Sequence, residues 1–115
     1  MSDPQHPYSS AVVANGLVFV SGSLPIGPDG AVVEGGRAAM DAAMAQLVER
    51  MATVGVGLEH VVKLTYFVTD IALRDFANEQ YIELWPEPRP ARTVVGVAQL
   101  PRDAVVEIDA VARVP

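Results

Sequence analysis

The spacing of apolar residues changes period at Gly36, and a chain that switches between two-residue and 3.6-residue repeats must combine strands with helices. Ahead of Gly36, two apolar runs, Ala11-Val12-Val13-Ala14 and Leu17-Val18-Phe19-Val20, flank Asn15-Gly16. Asn-Gly tolerates positive φ at both centres of a type I′ turn, so the pair predicts a β-hairpin. Ser21-Gly22-Ser23 closes the second strand. Pro25 and Gly27-Pro28-Asp29-Gly30 then make a turn-rich loop before a short strand expected at Ala31-Val32-Val33.

Beyond Gly36 the apolar positions become Met40, Ala43, Met44, Leu47, Val48 and Met51, one face of an amphipathic helix that Gly55 ends in the left-handed conformation. His60 to Thr69 returns to alternation, with Leu64, Tyr66 and Val68 set against Lys63, Thr65, Phe67 and Thr69, which predicts a strand. A second helix follows Asp70, its expected cap, with Leu73, Phe76, Ala77, Tyr81 and Leu84 inside and Arg74, Asn78, Glu79 and Glu83 outside. Pro86, Pro88 and Pro90 deny the chain both helix and ladder donors, so the next strand starts at about Ala91 and runs to about Ala98. Pro101-Arg102-Asp103 makes a turn. The last strand, Val105 to Ala112, points Val106, Ile108, Ala110 and Ala112 one way and Glu107 and Asp109 the other.

The order β-β-β-α-β-α-β-β predicts an α+β fold, a mixed sheet of about six strands with two helices on one face. At 115 residues the chain suits one domain, 1–115, with residues 1–7 as an arm ordered only where something docks it. Two helices cover only one side of the sheet. With half the residues hydrophobic, the other side of the Val- and Ala-rich strands is expected to meet another subunit.

Composition also excludes functions. A formal charge of -6 opposes binding to nucleic acid, which needs clustered cations. There is no cysteine, so disulfides, thiolate catalysis and Cys-ligated zinc are all ruled out, and His6 and His60 lack metal-ligand spacing. No apolar run approaches the roughly 18 residues of a membrane span, and the first residues lack the pattern of a signal peptide, so a cytoplasmic location is expected. Gly-x-Gly-x-x-Gly, Gly-Lys-Ser/Thr and Gly-x-Ser-x-Gly motifs are absent.

Arg92 is the first candidate for chemistry. Stiffened by the prolines before it, an arginine at a strand entry can clamp a carboxylate with two parallel bonds, or it can serve a surface or interface salt bridge. Glu107, between Val106 and Ile108, either pairs with a cation such as Arg92 or is kept for proton transfer, since burying it unpaired is expensive. Tyr8 can line a pocket or simply pack. Ser21-Gly22 can offer a hydroxyl and backbone donors to an anion, or merely end a strand.

Taken together, Pro7-Tyr8-Ser9, Val18-Phe19-Val20-Ser21-Gly22, Asp70 with Asn78-Glu79-Gln80-Tyr81, Pro90-Ala91-Arg92-Thr93, and Leu100-Pro101 with Val106-Glu107-Ile108 resemble the Rid family, YjgF-like proteins also labelled endoribonuclease L-PSP. The resemblance covers nearly the whole chain. It implies a chorismate-mutase-like α+β fold and a homotrimer with clefts between subunits. The implied activity is hydrolysis of reactive enamines or imines such as 2-aminoacrylate to a 2-oxo acid and ammonia, with no cofactor and no metal. By motif position, Arg92 holds the substrate carboxylate, Glu107 positions or activates the attacking water, and Tyr8, Ser21 and Gly22 line the cleft with Thr93 beside the arginine.

The alternatives are a carboxylate-metabolite-binding module without turnover and, carried only by the family label, a ribonuclease. The chain departs from many members at Ser10, Ser23, Ala39, Met40 and Gln46, where polar groups are lost or changed, so the expected deaminase activity is weak or shifted in substrate.

Overall fold

The computed structural model describes residues 7–115; residues 1–6 of the expected arm lie outside them. Five strands and two helices follow in the order β1 (Ala11–Ala14), β2 (Leu17–Ser23), α1 (Gly36–Ala52), β3 (Val61–Val68), α2 (Arg74–Leu84), β4 (Ala91–Gly96) and β5 (Val106–Arg113). The strands form one sheet in the order β1-β2-β5-β3-β4. All neighbours are antiparallel except β3 and β4, which run parallel because α2 carries the chain back between them.

The hairpin turns at Asn15 and Gly16, with φ of 51° and 78°, and pairs Ala14 with Leu17 across the two-residue turn. Gly55 sits at φ 79° just past α1. The Asp70 side chain accepts from the Ala72 amide, capping a 3₁₀ turn, Ile71–Leu73, that leads into α2. The strand expected at Ala31–Val33 is not formed: Val32 makes one bridge to Ile26, so the sheet has five strands rather than six. Gly30 and the two glycines at 35 and 36 leave too few residues between them to build a ladder.

Both helices pack on one face of the sheet. Met40, Ala43, Met44, Leu47 and Met51 from α1 meet Val18 and Val20 of β2, Leu64, Tyr66 and Val68 of β3, and Val106, Ile108, Ala110 and Ala112 of β5. Burying each of the Val, Leu, Ile and Met side chains contributes about 1.5–3 kcal/mol. A polar strand of contacts runs through this layer: Tyr66 Oη donates to Gln80 Oε1 at 2.8 Å, and Gln80 Nε2 donates to Asp41 Oδ1 at 3.0 Å. Arg37 Nε donates to the same Asp41 oxygen, and its other nitrogens reach Glu79 and Glu83.

The opposite face is uncovered. In register across it lie Val12, Phe19 and Val111, then Asp109, Thr65 and Thr93, then Glu107, Phe67 and Val95. Val12 and Phe19 are 51% and 46% exposed, far above what large apolar side chains reach in a core. No helix among the described residues is long and apolar enough to cross a membrane.

Candidate functional site

The sheet register decides where the candidate residues go. Arg92 pairs with Leu64 and so points to the helix-covered face, whereas Glu107 pairs with Phe67 and points to the open face. The two therefore do not form an ion pair within one chain, and they occupy opposite sides of the sheet.

Arg92 stands near the start of the edge strand β4, where the prolines place it. Its guanidinium carbon is 4.9 Å from the centre of the Tyr81 ring and 5.9 Å from that of Tyr66. The approach is rigid: Tyr81 Oη donates to the Pro90 carbonyl at 2.6 Å, and Arg89 Nε donates to the Trp85 carbonyl at 3.0 Å. Nη1 of Arg92 is buried and has no hydrogen-bond partner. Burial, and then the neighbouring Arg74, hold the Arg92 acid constant below the usual arginine value, so the charge is uncompensated in a partly dehydrated place. Thr93 points to the open face and accepts a hydrogen bond from Lys63 Nζ. It is next to Arg92 in sequence but faces away from it.

The second group of candidates does come together. Tyr8, Ser21, Gly22 and Glu107 line one cleft of about 510 Å³ with Leu24, Pro101 and Arg102. A register shift between Val20 and Ser23 creates it, because Ser21 and Gly22 bulge away from β5. Ser21 Oγ donates to the Ser9 carbonyl at 2.6 Å and the Ser21 amide to the Ser10 carbonyl at 2.9 Å, which ties the Tyr8 segment to the bulge. Gly22 has a steric role: a Cβ there would lie 2.4 Å from Oε2 of Glu107. Burial, followed by repulsion from Asp109, pushes the Glu107 carboxyl above the usual carboxylate range, while Arg50 opposes the shift. Asp109 is raised too, by burial, against the pull of Lys63 and a bond from Thr65.

Among the departures, Ser10 lines the adjoining hollow with Gln46. Gln46 Nε2 donates to the Ile26 carbonyl at 2.9 Å, which holds the loop under the cleft. Ser23 is buried against the Ser21 carbonyl, and Ala39 and Met40 lie in the core. Among the described residues no group of three or more His, Asp or Glu side chains is placed to hold a metal ion.

Two residues were missed by sequence reasoning: Arg102, which lines the cleft, and Arg50, which lines the adjoining hollow. Arg50 donates from Nη1 to the carbonyls of Gly22 at 3.1 Å and Ser21 at 3.4 Å and lies over the Tyr8 ring. A sequence signal for it existed: no acid sits three or four residues to either side of Arg50, so its partner had to come from elsewhere in the fold. Arg102 adopts φ 60°, with Asp103 at 55°, and its Nη2 donates to the Gly30 carbonyl at 3.1 Å. Nothing in the residue type announces that backbone.

Comparison with known proteins agrees with this fold. The family model described as Endoribonuclease L-PSP matches residues 2–114. A RutC family protein of Pyrococcus abyssi is 36% identical over 116 residues, covering 95% of this chain and 87% of its own. The chloroplastic Reactive Intermediate Deaminase A of Arabidopsis thaliana is 36% identical over 108 residues, covering 92% of this chain and 58% of that protein. The solved structure of RidA from an Antarctic Psychrobacter superposes with a TM-score of 0.89 at 31% identity, covering 97% of this chain and 92% of the other. With nearly every residue matched in sequence and the same sheet and helices in space, the chain belongs to the endoribonuclease L-PSP family, to which RidA-type proteins also belong.

Proposed function

We propose that the chain hydrolyses reactive enamines and imines of the 2-aminoacrylate/2-iminopropanoate type to a 2-oxo acid and ammonia, in clefts between the copies of a homotrimer. The observation that carries this reading is the buried, partnerless Nη1 of Arg92 between two tyrosine rings. A guanidinium held this way is complementary to a carboxylate, which would restore the lost hydrogen bond and charge together. Kinship with a protein named Reactive Intermediate Deaminase A supports the choice of substrate.

In this reading 2-aminoacrylate tautomerises to 2-iminopropanoate, whose carboxylate binds Arg92. Glu107 takes a proton from water as the oxygen bonds to the imine carbon and passes it to the imine nitrogen, giving the carbinolamine; the hydroxyl proton then moves by the same carboxylate to the amino group as the C–O bond becomes a carbonyl and the C–N bond breaks. The products are pyruvate and ammonia. A carboxylate raised by burial is a stronger base than an exposed one, which suits it to take that proton. Tyr8 and the Ser21–Gly22 backbone shape the cleft around it. Because Arg92 and Glu107 occupy opposite faces, one chain does not supply both to one substrate, and a neighbouring copy docked on the open face would complete the site.

The test generates 2-aminoacrylate from serine with a dehydratase and follows its loss. Wild type is expected to accelerate it, and Arg92→Ala to lower kcat/KM by roughly 10- to 100-fold, as losing a charged hydrogen bond does. No acceleration by wild type, or full activity of Arg92→Ala, would refute the assignment. The same arginine also suits a module that binds a carboxylate metabolite without turnover; thermal stabilisation by pyruvate with no catalysis would establish that instead.

A further inference from the structure

We propose that Arg50 is a positioning residue, which holds the Tyr8 ring and the Ser21–Gly22 bulge in place beside Glu107 so that one wall of the cleft is preformed. The inference deepens the deaminase reading and rests on it for its catalytic meaning. Its geometric basis is separate.

The bulge takes Ser21 and Gly22 out of regular pairing with β5, and carbonyls removed from a ladder need another donor. Arg50, in the last turn of α1, supplies it to both from a single nitrogen. Its guanidinium carbon lies 5.8 Å from the centre of the Tyr8 ring, so one planar group fixes backbone and ring together. No carboxylate among the described residues forms an ion pair with Arg50, which lines the adjoining hollow and shares Tyr8, Gly22 and Leu24 with the cleft. The charged and titratable groups that face Glu107 are few. Asp109 comes from its own strand, Arg50 from α1, Arg102 from the turn before β5 and Tyr8 from the segment before β1, while β2 and β3 present Ser21, Gly22 and Phe67. Within this set Arg50 opposes Asp109 and favours the ionised carboxylate.

Two substitutions separate charge from hydrogen bonding. Arg50→Gln keeps a donor and removes the charge; Arg50→Lys keeps the charge and loses the planar fork. The titration of Glu107 is followed by NMR of its labelled carboxyl carbon, and amide exchange is followed at Ser21, whose N–H donates to Ser10. Arg50→Gln is expected to raise the Glu107 midpoint by about half a pH unit or more, whereas Arg50→Lys leaves it in place. Both are expected to speed Ser21 exchange about tenfold as the bulge loosens. In an active protein, the acid limb of kcat/KM moves upward with the midpoint in Arg50→Gln alone. If both variants keep the wild-type midpoint and the wild-type exchange, Arg50 positions nothing. Should Arg50→Gln fail to fold, Ser21 exchange in Arg50→Lys decides the matter, and wild-type exchange there overturns the proposal. These two readouts need no turnover, so an inactive wild type would count against the deaminase reading while the positioning role of Arg50 would still stand or fall on its own measurements.

Discussion

Arg92 and Glu107 illustrate two different ways of keeping a charge available. Arg92 is placed between aromatic faces with one donor buried and unused, so its attraction for an anion is not spent on a protein carboxylate. Glu107 is half-buried and raised by its surroundings, and Gly22 leaves room for it. That close approach can be tested directly. A methyl group at Gly22 must displace the carboxyl, which ends a flexible side chain and can swing aside. Gly22→Ala is therefore expected to cost under about 1 kcal/mol in stability while lowering deamination about 100-fold, the scale of a lost general base. Equal losses in Tm and activity, or none in either, would show that the glycine does not set the carboxyl's position.

At the level of elements, legibility followed local patterning. The hairpin was readable because Asn15-Gly16 has one preferred turn, and α1 because its apolar residues recur on a single face. The strand at Ala31–Val33 was over-read, since three β-favouring residues form a strand only where a partner runs alongside, and there the chain has just Ile26. Helix α2 held the larger surprise. Gln80 is 1% exposed, a polar residue in the core, because Tyr66 and Asp41 meet both ends of its amide. Such a three-way contact links two helices and a strand, and no single segment records it. Gln80→Leu leaves the Tyr66 hydroxyl buried without its acceptor and is expected to cost about 1–3 kcal/mol in denaturant unfolding. Combining it with Tyr66→Phe should cost about 1 kcal/mol less than the sum of the two single changes, since the second removes the orphan left by the first. Strict additivity would mean that the two side chains do not share a bond.

On the scale of the whole molecule, candidate residues could be picked out one by one from the sequence, but not their arrangement. In sequence Arg92 opens one strand and Glu107 lies in the next, and only the sheet register reveals that they face opposite ways. The uncovered face, with Val12, Phe19 and Val95 exposed, offers the surface on which a second copy would bring them together. Shared clefts make a quantitative demand. In the proposed reaction Arg92→Ala would lack the clamp and Glu107→Gln the base, so each alone is expected to keep no more than about a tenth of the wild-type activity. When the two are unfolded together in equal amounts and refolded as mixed assemblies, a cleft built from two chains recovers both groups only where a Glu107→Gln chain donates its arginine to an Arg92→Ala chain. Random mixing makes that about one cleft in four, and deamination is expected to return to about a quarter of the wild-type rate. A cleft drawing both residues from one chain recovers nothing on mixing. Adding Phe19→Asp to both chains should then abolish the recovered activity and the assembly together, with sedimentation reporting monomers, because a charge buried in that face would have no partner.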